Sequence, residues 1–333
     1  MKKVFYLIAI VISLSACEKA LFKKDKASNN ARTNFEYLWN EVDKKYSYFE
    51  LKNVNWDSIK TVYGAQISES TSEYQLFEIL ANMMNELKDD HTNLISPFNI
   101  SRYDVALNSD ANFRLRTIEE FYIPNAQISG SFLHDFLEDE EIGYIRYSSF
   151  MNSVSSNSLD YILSRYKNTK GLILDLRENG GGSIINVPAL LERFAPERKL
   201  VGYFKTRNGE NHTDFSENSD FYIGSHDGIK YTKPVMVLID RGSYSATTMF
   251  ALATKAFANI TLIGDSTGGG GGLPNGGQLP NGWIYRFSIS QLLDLNGNNF
   301  AEKGVSADIN VSFEWTDLTK DEIIERAIIE IMN

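Results

Sequence analysis

Gly171-Leu172-Ile173-Leu174-Asp175-Leu176-Arg177-Glu178-Asn179-Gly180-Gly181-Gly182 is the stretch on which the fold turns. Residues 171 to 176 are almost continuously apolar, the pattern of a strand buried on both faces. The three glycines end that strand, and Val187 to Phe194 then reads as a helix. Strand, glycine turn and helix make one unit of a layered α/β protein.

The unit repeats on both sides. Before it, Ile142 to Tyr147 is a strand candidate and Val154 to Tyr166 a helix. After it come a strand at Val235 to Ile239, a helix at Ala246 to Phe257 and a strand at Ile260 to Ile263. This alternation predicts helices packed on a largely parallel sheet over residues 138–333. Thr319 and Glu322 read as the capping box of a last helix that carries Ile323, Ile324, Ala327, Ile328 and Ile331.

Upstream the period changes. Phe35, Leu38, Trp39, Val42 and Tyr46 recur at helical spacing, and a second helix is predicted near Trp56. Ser72 can cap a third, with Tyr74, Phe77, Leu80, Ala81, Met84 and Leu87 as its buried face. Residues 31–95 therefore predict a small helical bundle, whose last helix ends at Asp89-Asp90-His91-Thr92. Residues 96–137 read as a strand-containing connector, too short for an inserted peptide-binding domain.

The chain has 333 residues and a formal charge of -10, with its Lys and Arg scattered, which excludes nucleic acid as a partner. Residues 1–16 have the layout of a signal peptide: Lys2 and Lys3, an apolar run from Val4 to Leu14, then Leu14-Ser15-Ala16-Cys17, which resembles a lipobox. Cys17 is the only cysteine, so no internal disulfide can form and lipidation is its simplest use. The apolar run is too short to span a bilayer, so the mature chain is expected to be lipid-anchored at Cys17 in a bacterial cell envelope, with residues 17–30 as a polar tether. Removing residues 1–16 takes away two lysines and changes the formal charge from -10 to -12.

Three loops can carry chemistry, each directly after a buried strand, where open α/β sheets place their sites. The first is Arg177 to Gly182, whose glycines can present backbone N–H groups as an oxyanion hole; a ligand-free tight turn is the plain alternative. It lacks the lysine and hydroxyl of a phosphate cradle. The second is Asp240-Arg241-Gly242-Ser243-Tyr244-Ser245-Ala246, where Ser243 or Ser245 is either a helix cap or a nucleophile at a helix N-terminus. The third, Gly264-Asp265-Ser266-Thr267 followed by Gly268 to Gly272, is either mobile or lies flat against a substrate backbone.

The strings Gly171 to Gly182, Ser243-Tyr244-Ser245-Ala246 and Gly264 to Gly269, in that order, resemble the catalytic core of the S41 peptidases. Gly304-Val305-Ser306-Ala307-Asp308-Ile309 is similar to the closing signature of that family, with Ala307 where proline is usual. The family includes the C-terminal processing proteases, the tricorn core proteases and the retinoid-binding modules of a photoreceptor matrix protein. The resemblance implies a ClpP/crotonase-like layered α/β core, here without a PDZ domain. It implies Ser245 as nucleophile, Ala246 with Gly180 or Gly181 as oxyanion donors, and Gly269, Gly270 and Gly271 along the substrate.

Where processing proteases carry a base lysine this chain has Gly270, so the serine–lysine dyad is absent. The tricorn branch instead takes a histidine from the end of an N-terminal helix after a Glu-Leu pair, and Glu86-Leu87-Lys88-Asp89-Asp90-His91 fits, which makes His91 the implied base. A histidine base needs an orienting acceptor. Glu302 resembles the acidic member of the tricorn site and Asp90 stands in the place of its supporting serine, with Glu302 ranked first. The implied activity is hydrolysis of extended peptides or protein C-termini, rising through about pH 6 to 7 as the imidazole loses its proton. No metal or cofactor is required, since no histidine pair sits at ligand spacing. The rival reading is an inactive lipoprotein that binds peptide or lipid on the same fold.

Overall fold

The structure is a computed structural model that describes residues 27–104, 109–299 and 302–333. The signal peptide, Cys17 and most of the expected tether lie outside the described residues.

The central sheet has seven strands in the order β14-β10-β9-β6-β5-β4-β3. Strands β5 (Ile142–Arg146), β6 (Gly171–Asp175), β9 (Val235–Ile239), β10 (Ile260–Gly264) and β14 (Ile309–Asn310) run parallel. The outer strands β3 (Gln127–Ser129) and β4 (Phe132–Leu137) are antiparallel additions. Alternation along each strand gives the sheet two apolar faces. Leu172, Leu174, Val235 and Val237 pack toward one layer, with Leu159 and Ile162 of the helix Ser156–Arg165, Val187 and Leu190 of Asn186–Leu191, and Met249 and Phe250 of Ala246–Thr254. Ile173, Met236 and Leu238 point the other way, onto Ile323, Ile324 and Ala327 of the C-terminal helix Glu322–Met332.

That last helix is capped differently from the prediction. Asp321, not Thr319, accepts from the backbone N–H groups of Ile323 and Ile324. The same carboxylate also receives Arg177 Nη1 at 2.9 Å, and Arg177 Nη2 reaches Asp175 at 2.6 Å, so a fully buried ion pair ties the end of β6 to this helix start. Burial works against the Asp175 carboxylate, but the Arg177 guanidinium holds it below the ordinary range.

The N-terminal helices α1 (Ala31–Lys45), α2 (Trp56–Gly64) and α3 (Glu73–Asn85) form as predicted, α3 with a capping box between Ser72 and Gln75. Tyr74 departs from the expected buried face: it is 67% exposed, while Leu76, Ile79 and Met83 are buried. The bundle core is completed from far away. Tyr285 and Phe287 of β12 (Ile284–Ser288), with Leu279 and Trp283 before it, pack on Phe35, Leu38 and Phe77. β12 lies in a four-stranded antiparallel sheet between β11 (Pro274–Gln278) and β1 (Asn93–Ile95), with β2 (Ile100–Arg102) outermost. A three-stranded sheet, β13-β7-β8 (Ser290–Leu293, Lys199–Thr206, Ser219–Ile223), completes the molecule. Residues 28–30 are already fixed: Ser28 N–H donates to the Pro280 carbonyl, and Asn30 caps α1. Among the described residues no helix is long and apolar enough to cross a membrane.

Candidate active site

The turn between β9 and the helix Ala246–Thr254 is braced from below. Asp240 Oδ1 accepts the N–H groups of Glu178 and Ser243, each at 2.9 Å, and Ser243 Oγ donates to the Leu176 carbonyl at 2.8 Å. Ser243 is therefore a buried structural hydroxyl. Ser245 stands above it with φ 57° and ψ -113°, a backbone region that costs a non-glycine residue about 1–3 kcal/mol. Its N–H donates to the Gly269 carbonyl, and its own carbonyl accepts from Met249.

Asn179 stitches the glycine turn to this elbow. Its carbonyl accepts the Tyr244 N–H at 3.0 Å and the Thr247 hydroxyl at 2.7 Å, while its side chain donates to the Tyr147 carbonyl. Gly181, at φ +89°, lies so close that a Cβ there would stand 2.6 Å from the Tyr244 carbonyl oxygen and 2.8 Å from the Ala246 nitrogen. The Gly181 N–H is committed to Asn179 Oδ1 at 3.0 Å. Of the two glycines, Gly180 faces open space, and its N–H and that of Ala246 donate to no protein group among the described residues.

His91 arrives from the other side, on the turn between α3 and β1. Asp89 shapes that turn by accepting the N–H of His91 on Oδ1 at 2.9 Å and that of Thr92 on its carbonyl at 2.8 Å. The result brings His91 Nε2 to 2.9 Å from Ser245 Oγ, across 154 residues of sequence. Nδ1 faces Ser288 Oγ at 3.4 Å, and the Gly272 backbone supports the protonated ring by hydrogen bonding. The imidazole meets the Tyr244 ring edge-on, centroids 5.1 Å apart. Burial lowers the His91 pKa to about 4, against the opposing pull of the Asp89 charge and with help from Arg286. The titration expected near pH 6 to 7 thus moves down, because this ring is desolvated.

The two carboxylates nominated to orient His91 are engaged elsewhere. Glu302, buried, receives Lys52 Nζ at 2.6 Å. Burial and then the nearby Asp89 charge push its pKa up to about 8, with Lys52 pulling down. Asp90 faces Arg102 at 3.5 Å on the rim. The groups seen against the imidazole are Ser245, Ser288, Tyr244 and the Gly272 backbone. The sequence reading missed Asp89, Asn179, Tyr244 and Ser288, although Asp89 sits beside the residue it favoured.

The glycine run is packed into the protein and not open. Gly269, Gly270 and Gly271 are buried, and the Gly269 carbonyl accepts from Ser245 and from Thr248 Oγ1. A Cβ on Gly270 would lie 2.3 Å from the Tyr244 ring. Tyr244 therefore fills the space that a lysine at position 270 would need, and these glycines serve the elbow instead of lining the cleft. The cleft itself, about 560 Å³, is lined by Asp90, His91, Gly180, Gly181, Tyr244 and Ser245 among others.

A model of peptidase family S41 matches residues 141–311, which hold the elbow, the glycine turn and the sheet that carries them. The chain belongs to peptidase family S41. A model of the tricorn protease C1 domain matches residues 27–85, the helical bundle that leads to His91. A solved structure from Parabacteroides merdae, provisionally named a peptidase, is 38% identical, covers 92% of this chain and 98% of its own, and superposes with a TM-score of 0.88. Mature CPAF shares the fold at 12% identity, with a TM-score of 0.69 over 91% of this chain and 97% of that one. The carboxy-terminal processing protease CtpA of Bacillus subtilis is 28% identical over 174 residues, 52% of this chain and 35% of that protein. This S41 chain spans about a third of the length of the curated relatives it matches.

Proposed function

We propose that this protein is a serine endopeptidase acting on extended peptides or protein C-termini in a bacterial cell envelope, with Ser245 as nucleophile and His91 as general base. The observation that carries the reading is the 2.9 Å approach of His91 Nε2 to Ser245 Oγ at a strained elbow. An imidazole held neutral by burial can accept the hydroxyl proton at neutral pH.

In the first step the proton of Ser245 Oγ passes to Nε2 as Oγ bonds to the scissile carbonyl carbon. The carbonyl oxygen takes the electron pair and the negative charge. The N–H groups of Ala246 and Gly180 are the donors available to it, and one such donor contributes about 2.7–4 kcal/mol to transition-state binding. Collapse expels the leaving amine, which takes the proton from Nε2. Water repeats the sequence on the acyl-enzyme and restores the serine. With Glu302 held by Lys52 and Asp90 facing Arg102, Ser288 and the Gly272 backbone are the groups that would keep the proton on Nδ1, so that Nε2 is the accepting nitrogen.

Lipidation at Cys17 completes the proposed envelope location, and metabolic labelling with a fatty-acid analogue that is lost in Cys17→Ala checks it. The activity is tested with a fluorophosphonate probe. Wild type becomes labelled, Ser245→Ala does not, and His91→Ala is labelled about 100-fold or more slowly. An unlabelled wild type across pH 4 to 9 would leave a tethered peptide- or lipid-binding protein as the better reading.

A further inference from the structure

We infer that the far end of the four-stranded sheet rests on a lipid bilayer, with Ile95, Ile100 and Ile284 set between head groups and acyl chains; the inference rests on the lipidation of Cys17 proposed above. Ile95 pairs with Ile284 on one side and with Ile100 on the other, so the three side chains form one row across β12, β1 and β2. Leu94 and Tyr285, one position along, point into the bundle core, so the isoleucines face outward. Phe98, at the tip of the hairpin between β1 and β2, meets Tyr74 of α3 edge to face at 4.8 Å. These five side chains are between 36% and 67% exposed. An apolar cluster of this kind, left in water, marks a contact surface.

The path of the chain says what covers it. Ser28 N–H donates to the Pro280 carbonyl and Asn281 N–H to Asn34 Oδ1, which hold the start of the described chain at the turn between β11 and β12. Ile284 opens β12 directly after that turn. Cys17 precedes Ser28 by eleven residues, a reach of about 40 Å at most. An acyl anchor on Cys17 therefore keeps this end of the molecule beside the bilayer.

The surroundings suit a head-group layer. A hollow of about 710 Å³ beside Tyr74 and Phe98 is lined by Gln66, Ser68, Thr71 and Asn99, with Glu78 the one charged side chain in its wall. One row behind the isoleucines, about 7 Å away, Arg286, Asn93 and Arg102 follow on the same face. Arg102 pairs with Asp104 and Asp90, whereas Arg286 is exposed and makes no ion pair among the described residues. In a chain of formal charge -10, a cation at that depth matches the phosphates of an anionic leaflet.

The same face continues to the catalytic pair. Ser288, which faces His91, lies four residues beyond Ile284, so the cleft stands within about 14 Å of the apolar row. An extended peptide crosses that distance in about four residues. The substrates this posture favours are tails that emerge from the bilayer and are cut close to its surface.

Dye labelling tests the contact on the protein as the cell makes it, reconstituted in vesicles of phosphatidylethanolamine and phosphatidylglycerol. With Cys17 acylated, the substitution Ile100→Cys, Ile284→Cys or, on the helix Ser156–Arg165, Tyr161→Cys supplies the one free thiol. A polarity-sensitive dye at position 100 or 284 is expected to lose about half or more of its emission to nitroxide-bearing lipids, and one at position 161 almost none. Adding Ile95→Ser and Ile100→Ser to Ile284→Cys should cut that quenching about twofold or more, while the acyl chains keep the protein on the vesicles. Equal quenching at all three positions overturns the proposal. So does a row shielded by concentration-dependent self-association, which would make its occupant a second copy. Uptake of thiol dye by wild type shows Cys17 to be unacylated, and the lipidation reading then fails by itself. The row is in that case judged by flotation with added vesicles: a loss of about fivefold in Ile100→Ser/Ile284→Ser sustains it, and no difference from wild type sinks it.

Discussion

Tyr244 Oη donates to Asp89 Oδ1 at 3.3 Å, and this bond joins the two segments that carry Ser245 and His91. Asp89 uses the same oxygen to accept the His91 backbone N–H, so one carboxylate oxygen references the histidine turn to the residue before the nucleophile. The Tyr244 ring is in turn fixed between the imidazole and Gly270. Loss of the hydroxyl should leave the ring in place and loosen the link between the segments. Tyr244→Phe is expected to lower kcat about tenfold with KM nearly unchanged, since small misplacements of reacting groups are costly. The melting transition should report a loss of about 1 kcal/mol for the hydrogen bond. A kcat equal to wild type would remove Tyr244 from the positioning machinery.

The pH profile follows from desolvation of His91. Its pKa lies at about 4 in the folded protein, below the ordinary 6.5, so the neutral, proton-accepting ring persists well below pH 6. Labelling of Ser245 by a neutral phosphonate should therefore stay level from about pH 8 down to pH 5 and fall only near pH 4. The Asp89 charge supports the protonated ring, so Asp89→Asn should move that inflection lower still, along with a reduced plateau. An acid limb centred between pH 6 and 7 would mean that the ring is far more solvated than this geometry allows.

Much of this was legible in the sequence, and the reasons are local. The near-continuous apolar runs at 171–176 and 235–239 can only be central strands, and they fix the layered core. The strings around Ser245 and His91 each carry their own signature, so the dyad could be named before its halves were seen 2.9 Å apart. What stayed hidden depends on distant pairing. Pro274-Asn275-Gly276-Gly277-Gln278 has no apolar alternation and yet forms β11, because its partner β12 supplies the buried Tyr285 and Phe287. Glu302 looked like the partner of His91, but Lys52, from the short helical turn Phe49–Lys52, reaches it first. Nothing in the spacing of Asp89 and Asp90 tells which one turns inward; only the tertiary contact with Tyr244 does.

Glu302 also makes a prediction about stability. Its folded-state pKa of about 8 lies above the ordinary 4.5, so the folded form holds this proton more tightly than the unfolded chain does. The stability it contributes is complete below about pH 4.5 and is lost as pH rises through about 8. Glu302→Gln carries no titrating proton and should flatten that part of the curve, so that the variant gains on wild type between pH 5 and 9 in urea melts. Lys52, whose side chain is 18% exposed, retains access to water and does not become an orphaned charge in the variant. A wild-type curve that rises with pH across this range would show that Glu302 is ionised throughout.

The buried pair at the end of β6 should matter most for folding and least for chemistry. Arg177 is fully buried between Asp175 and Asp321, and Asp321 also caps the C-terminal helix. Removing one partner of a buried pair costs about 3–5 kcal/mol, because the remaining charge is left in a dry interior. Asp321→Ala loses the cap as well, a further loss of about 1 kcal/mol. Asp321→Asn keeps an accepting oxygen for the Ile323 and Ile324 N–H groups and should fall between wild type and Asp321→Ala. Urea titration ranks the three, while Ser245 labelling of the folded fraction should stay within about twofold of wild type, because Asp321 is not among the groups lining the cleft. Equal losses in the two variants would place the whole effect in the ion pair, and a labelling defect larger than the folding defect would mean that the strain at Ser245 is sustained from as far away as the C-terminal helix.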